Sequence, residues 1–311
     1  MSKILITGTC GFVFSNVVLY LLQHTKHDVV GIDKLARTGS ILNAPEVKRY
    51  KLHIGDICDY HFTRKIFSIE KPDIVIHGAS DPDDFVKTNV IGTHSVLEAA
   101  LKAHTPKKFI NTSTYEVYGN IKTGQSKETD LLNPCNPYFS TKASSDLLGQ
   151  SYFSTYGLPV LTTRCSNIFG PRQHKDKLIS KIIMSAIESE KVELGQNIDN
   201  IREWTYVKDY FYALLTLLEN GRVGEVYNIS SQYSKAVKSV VDTIHEIMGN
   251  NSVNYVKDSS IYAQRYALDC SKIKALGWEP KYKYRESLEY TVDWYRKNLH
   301  WFSKGSAGWP E

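Results

Sequence analysis

Tyr138 and Lys142 stand four residues apart in the run Tyr138-Phe139-Ser140-Thr141-Lys142. That spacing puts both on one face of a helix. A phenol ordinarily ionises near pH ~10, and an adjacent ammonium favours the phenolate. About 4 kcal/mol of differential stabilisation, within reach of two cations in a closed site, would make Tyr138 a base near neutrality. Upstream, Asn111-Thr112-Ser113-Thr114-Tyr115-Glu116-Val117-Tyr118-Gly119 carries a hydroxyl and a carboxylate two residues apart. At the C-terminal end of a central parallel strand, Thr114 would hydrogen-bond the same substrate oxygen as Tyr138, and Glu116 would take a proton from carbon. On a helix surface or in a solvated turn the same residues would do nothing, so their value depends on the elements that hold them.

The N-terminal run Thr7-Gly8-Thr9-Cys10-Gly11-Phe12-Val13-Phe14 sits between a strand pattern and a helix pattern. Gly8 permits a tight turn and Gly11 a close approach to a diphosphate. The N–H groups at the start of the helix beyond complete an anion site, and Phe12 and Val13 are counted with the glycines as cofactor-binding. Asp33 ends the second strand, placed to accept both ribose hydroxyls of an adenosine, which favours NAD over NADP. Lys34 and Arg37 follow it, and Asp56 and Ile57 are placed to flank the adenine. Phe14 occupies the place of a third glycine, and it is expected to fill volume left by Gly78 and a short following loop.

Short apolar runs alternate with helical patterns through the first half. Ile4–Thr7, Asp28–Ile32, Tyr50–Ile54, Ile74–His77, Lys108–Thr112 and Val160–Arg164 read as strands. Asn16–Thr25, Asn89–Ala103 and Tyr138–Tyr156 read as helices. This alternation predicts an α/β fold, a doubly wound parallel Rossmann sheet. Residues 1–165 form the NAD-binding domain, with about 200–230 interleaved into it. Residues 166–311 form a smaller, mainly substrate-binding region with turns at Asn167–Arg172, Gly195–Asn200 and Gly249–Asn251, and a weakly ordered tail after Trp301. The 311 residues suffice for a substantial core, and 42% hydrophobic with 23% charged residues fits a globular chain. The five scattered cysteines form no C-x-x-C pair, which argues against a metal site and for a reduced, cytoplasmic protein. No apolar run is long enough to span a membrane, and a net charge of +5 without a basic cluster argues against nucleic acid.

With these residues in place, the chain resembles the extended short-chain dehydrogenases/reductases, and among them the nucleotide-sugar 4,6-dehydratases. The resemblance rests on TGxxGF, DKL, GDI and NPYxxTK, and more specifically on RCSNxxGPRQ, DKLI, REWxYVxD, YNIS and RYALD. It implies a nucleotide-diphosphate sugar as substrate, met by Asn167, Lys177, Leu178, Arg202, Asn228 and Arg265. It also implies oxidation at C4, loss of water across C5 and C6, and reduction at C6, with NAD regenerated. A homodimer through a four-helix bundle of Asp84–Ala103 and Tyr138–Tyr156 is a further implication.

Three departures from the family pattern bear on substrate. Relatives acting on glucose nucleotides usually carry Asp, the acid for the departing C6 oxygen, where this chain has Tyr115. Either Tyr115 is the acid, or Glu116 shuttles the proton; altered proton delivery would also permit inversion at C5. The loop after His77 is short, which leaves room for a 2-acetamido group and leans the reading toward UDP-N-acetylglucosamine. Ser259 stands where the family has an arginine, so one phosphate contact is either missing or supplied elsewhere. The alternatives are a dTDP- or UDP-glucose 4,6-dehydratase, a 4-epimerase, a UDP-glucuronate decarboxylase, and a non-enzymatic NAD-sensing regulator on the same fold.

Overall fold

The computed structural model describes residues 1–36, 39–190, 192–195, 198–249, 253–256 and 265–301. Arg37, Ser259, the tail after Trp301, and parts of the turns at 195–200 and 249–251 lie outside them.

Six strands of the first half are β1 (Lys3–Thr7), β2 (Asp28–Asp33), β3 (Tyr50–Ile54), β4 (Ile74–His77), β5 (Lys108–Thr114) and β6 (Val160–Cys165). The interiors of β1, β2 and β4 are Val/Ile-rich or Leu/Ile-rich, as central strands buried on both faces must be, while β3 at the sheet edge is only partly buried. Between them run α1 (Phe12–His24), α2 (Tyr60–Glu70), α3 (Thr93–Ala103) and α4 (Pro137–Tyr156). The second half adds β7 (Asn167–Phe169), α5 (Leu178–Ile187), β8 (Val192–Gly195), β9 (Ile201–Tyr206), α6 (Val207–Asn220), β10 (Val226–Ile229), β11 (Tyr233–Ala236), α7 (Val237–Met248), β12 (Val253–Val256), α8 (Ser271–Lys274) and α9 (Tyr284–Lys297).

Seven strands form one parallel sheet in the order β10-β6-β5-β4-β1-β2-β3. The order reverses between β1 and β4, and open α/β sheets bind ligands at the carboxyl ends of strands there. The second half contributes β10 to this sheet, beside β6. Its other strands form a three-stranded sheet, β11-β9-β7, and a pair, β12-β8. A second apolar core, built on Phe169, Ile182, Trp204, Val241 and Tyr295, holds that half together.

The expected strands are all present, and β5 runs two residues further than expected, to Thr114. Helix α1 begins at Phe12, four residues earlier than the apolar pattern suggested, so Phe14 lies in its first turn. Helix α2 was not anticipated; Asp59 caps it by accepting from Phe62 N–H at 3.0 Å. Helix α4 starts where the side chain of Asn136 accepts from Phe139 N–H at 2.8 Å and Pro137 opens the first turn. That cap fixes the rotation of the helix and so the direction of Tyr138. The helical segment before α3, Lys87–Gly92, is wound as a π-helix.

Two glycines decide how tightly β1 and β4 meet. Gly8 has φ +79°, and a Cβ there would sit 3.0 Å from the backbone of Ala79. A Cβ on Gly78 would overlap the ring of Phe14, which is buried against it. The ring thus occupies the space that a side chain at 78 would take. Gly78→Ala is therefore expected to cost about 1–3 kcal/mol of stability. Phe14→Leu added to it should recover part of that loss. Denaturant midpoints of the two single variants and the double variant check the coupling; simple additivity would refute it.

Candidate active site

A cleft of about 610 Å³ lies across the carboxyl ends of the strands. Gly8, Gly11, Phe12, Val13, Asp33, Lys34, Asp56 and Ile57 line one end, and Thr114, Glu116, Tyr138, Asn167 and Lys177 the other. A deeper recess adjoins it, lined by Lys142, Ser166, Leu178 and Trp204 among others.

At the first end, Asp33 leaves β2 nearly buried. Its carboxylate accepts from Cys10 N–H at 2.8 Å and Leu35 N–H at 2.7 Å. Burial raises its pKa, and those two N–H groups and Lys34 oppose the rise. Asp56 accepts from Cys58 N–H at 2.9 Å. Lys34 crosses toward the β4 loop, 2.8 Å from Asp81 and 3.3 Å from Thr88 Oγ1. Helix α1 has no side-chain cap at Gly11, so its first N–H groups open to the cleft. The left-handed turn at Gly8, the uncapped helix start and the carboxylate at the end of β2 fit NAD: diphosphate on the N–H groups, ribose on Asp33.

At the second end, Tyr138 Oη lies 2.9 Å from Ser80 Oγ. Burial raises the phenol's pKa; Ser80 opposes the rise, while Glu116 and Asp81 add to it. Lys142 Nζ is buried and donates to the Thr112 carbonyl at 2.7 Å. Burial lowers Lys142 to about 8, against the charge of Asp146. His77 is fixed between Thr7 Oγ1 at 2.8 Å and Thr93 Oγ1 at 2.9 Å. Burial and the charge of Lys142 drive it down to about 3, so it is neutral.

Glu116 follows Thr114 at the end of β5, with Thr114 Oγ1 3.4 Å from its carboxylate. It keeps an open face only toward the cleft. The surrounding protein raises its pKa to about 7, although Arg202, Thr114 and Lys177 pull it down.

Several expected site residues do not reach the cleft. Tyr115 is 1% exposed, belongs to the apolar core, and stacks on Tyr266 at 5.0 Å between ring centres. The 3₁₀ turn Tyr115–Tyr118 alternates directions, so Glu116 faces the cleft and Tyr115 the core. Its hydroxyl has no hydrogen-bond partner, and burial raises its pKa well above the usual value. Tyr115 is thus badly placed to be the acid. Asn228, on β10, is wholly buried; its amide donates to the carbonyls of Ser126 and Asp269 and accepts from Tyr118 Oη. That sets the loops beneath the site and leaves nothing for a ligand. Arg202 and Arg265 lie near one another, since Ile201 and Arg265 are bridge partners. The Arg202 guanidinium covers the Tyr266 ring at 5.1 Å, and Arg265 donates to the Gly124 carbonyl at 2.7 Å. Neither lines the cleft, but the charge of Arg202 reaches Glu116. Ser80 had no expected role. Its position just beyond β4, at the carboxyl edge beside the switch point, was the available signal.

Among the described residues no cluster of His, Cys, Asp and Glu could hold a metal ion, and no helix is long and apolar enough to cross a membrane.

Residues 5–291 match the family model described as GDP-mannose 4,6 dehydratase. The chain is 40% identical to the low-salt glycan biosynthesis protein Agl12 of Haloferax volcanii, over 94% of this chain and 98% of that protein. It is 35% identical to dTDP-glucose 4,6-dehydratase 1 of Escherichia coli, over 98% and 96% of the two chains. The crystal structure of dTDP-glucose 4,6-dehydratase from Bacillus anthracis in complex with NAD superposes with a TM-score of 0.94 at 36% identity, covering 98% of this chain and 100% of that one.

The environment of Glu116 gives a test by stability. Its folded pKa, about 7, lies above the unfolded value of 4.5. The unfolded chain therefore loses this proton first, and the folded state loses stability as pH rises from about 4.5 to about 7. Glu116→Gln removes that term. The variant should gain on the native chain by roughly 1–3 kcal/mol at pH ~8 relative to pH ~4.5. Paired denaturation curves at the two pH values check it, and a pH-independent difference would contradict the buried carboxyl.

Proposed function

The chain belongs to the NAD-dependent nucleotide-sugar 4,6-dehydratases of the extended short-chain dehydrogenase/reductase family, and on that premise we propose that its substrate is a glucose nucleotide, dTDP-glucose or UDP-glucose. The product would be the 4-keto-6-deoxy sugar nucleotide. The observation that carries the reading is Glu116, a carboxyl of neutral-range pKa in the same cleft as Tyr138 and Thr114. A 4-epimerase has no proton to remove at C5 and no use for a carboxylate there.

NAD, held by the Gly8–Val13 turn, Asp33, Lys34, Asp56 and Ile57, supplies the hydride acceptor and donor. Tyr138 takes the proton of the sugar 4-hydroxyl, with Thr114 hydrogen-bonding the same oxygen. The 4-keto group acidifies the C5 proton, which Glu116 removes as the C6–oxygen bond breaks. With Tyr115 turned into the core, Glu116 is the group left to pass that proton to the departing oxygen as water. Its neutral-range pKa suits both halves of the exchange. Asn167, Lys177 and Leu178 would meet the nucleotide; Arg202 and Arg265, held outside the cleft over Tyr266 and on the Gly124 carbonyl, would reach its diphosphate only by leaving those contacts.

The lean toward UDP-N-acetylglucosamine rested on space beyond the short loop after β4. That space holds the Phe14 ring against Gly78, the Lys34–Asp81 ion pair and the Ser80–Tyr138 hydrogen bond. The names of the Escherichia coli and Bacillus anthracis relatives also favour a glucose nucleotide.

The five thiols are unpaired, in keeping with a cytoplasmic protein. The segment Lys87–Ala103 and α4 pack side by side and leave Ile91 52% and Leu147 55% exposed, which supports a dimer through these helices. Leu147→Glu should convert such a dimer to a monomer in sedimentation velocity.

Purified protein supplied with dTDP-glucose, UDP-glucose, UDP-N-acetylglucosamine or UDP-glucuronate should form a 4-keto-6-deoxy product from a glucose nucleotide. Mass and NMR identify it and give its C5 configuration. A product of unchanged mass, or loss of carbon dioxide, would sink the reading. Glu116→Gln should lose water elimination by about 100-fold or more while bound NAD is still reduced.

A further inference from the structure

Resting on the reading of Tyr138 as the base for the sugar hydroxyl, we propose that Ser80 is a positioning residue whose single hydroxyl hydrogen turns between Asn89 and Tyr138 as Tyr138 gains or loses its proton. The argument follows from which atoms can donate. Thr141 Oγ1 lies 2.7 Å from the Tyr138 carbonyl, which can only accept, so the Thr141 hydrogen is committed there. Asn89 Nδ2 then donates to Thr141 Oγ1 at 3.0 Å, which fixes the orientation of the amide. Its Oδ1 faces Ser80 Oγ at 2.9 Å and can only accept, so the Ser80 hydrogen is committed to Asn89. Ser80 Oγ is also 2.9 Å from Tyr138 Oη, and with its hydrogen used it must accept from the phenol. Every hydrogen is placed, and Tyr138 is held as the neutral phenol.

A phenolate cannot donate. Two oxygens at that distance with no hydrogen between them repel, and Ser80 relieves this by swinging its hydrogen from Asn89 to Tyr138. Asn89 is 1% exposed, so its Oδ1 then loses a buried hydrogen bond. Asn89 thus opposes ionisation and Ser80 permits it. Both owe their reach to local backbone: Ser80 to the short loop after β4, and Asn89 to the π-helical segment Lys87–Gly92.

The charged groups near Tyr138 are Glu116 from the turn after β5, Asp81 beside Ser80, and Lys142, which lines the same recess from its own helix. Asp81 is paired with Lys34, Glu116 feels Lys177 and Arg202, and Lys142 is turned to Thr112. The rings of Phe85 and Phe139 close the remaining sides. None of these groups exchanges a hydrogen with the phenol among the described hydrogen bonds, so Ser80 carries that role.

The test is the ionisation midpoint of Tyr138 in the NAD-saturated protein. It is read by NMR of isotope-labelled tyrosine ring carbons, with the signal assigned by its loss in Tyr138→Phe. Ser80→Ala should raise the midpoint by about one pH unit, because the phenolate loses its donor. Asn89→Ala should lower it by about one unit, because Ser80 is released to donate. Ser80→Thr keeps the hydroxyl and should restore the native midpoint. General loosening of the site would move Ser80→Ala and Asn89→Ala the same way. Shifts of the same sign, or no shift in either, overturn the proposal. Should Asn89→Ala not fold, the serine pair decides: alanine and threonine behaving alike overturns it. The readout needs no sugar nucleotide. Opposed shifts without any dehydrated product would leave this proposal standing while the substrate reading falls.

Discussion

The site depends on how closely the turn after β1 can press against the end of β4. Gly8 meets the backbone of Ala79 at a distance no side chain would allow, and one residue earlier Gly78 lies flat under the Phe14 ring. These contacts join the two strands at which the sheet order reverses. They set the depth of the cleft, the exit direction of α1, and the path of the short loop that carries Ser80 and Asp81. A larger residue at either glycine would force that loop outward and take Ser80 away from Tyr138. The ring at position 14 is thus compatible with a working nucleotide turn because its counterpart at 78 has no side chain.

Burial then dictates the electrostatics. Desolvation is the first cause at Tyr138, Glu116, Lys142 and His77, and in each it favours the uncharged form. Lys142 and His77 are buried at the sheet end and held by fixed hydrogen bonds to Thr112, Thr7 and Thr93. Glu116 and Tyr138 face the cleft and are the groups that can change protonation there. A second buried layer supports them. Arg164 is paired with Asp146 at 2.7 Å beneath α4 and donates to Tyr118 Oη at 2.8 Å. That links the helix bearing Tyr138 to the turn bearing Glu116. Breaking such a pair would strand a buried charge, so it holds the helix of Tyr138 and the turn of Glu116 in register.

Much of the sheet was legible in the sequence because parallel central strands are short apolar runs between turns, and this pattern is local. Gly8, Gly11, Asp33, Thr114, Glu116, Tyr138 and Lys142 stand at strand ends or helix starts, and periodicity placed those elements well enough to bring the residues to one edge. The chain beyond β6 was less legible. β10 returns to the main sheet from within the segment of about 200–230 expected to be interleaved, but β7, β9 and β11 pair across long intervals, which no window of sequence displays.

Side-chain direction was the harder matter. Tyr115 and Glu116 are neighbours, yet a 3₁₀ turn sends one into the core and the other into the cleft. The four-residue spacing of Tyr138 and Lys142 was read as a charge pair; the carbonyl on β5 that also holds the ammonium was not visible in it. Ser80 acquires meaning only from partners nine and fifty-eight residues away. In each case the deciding fact is a hydrogen bond or a packing contact between elements. Residue type limits what a group can do, and the partner the fold supplies selects which of those things it does.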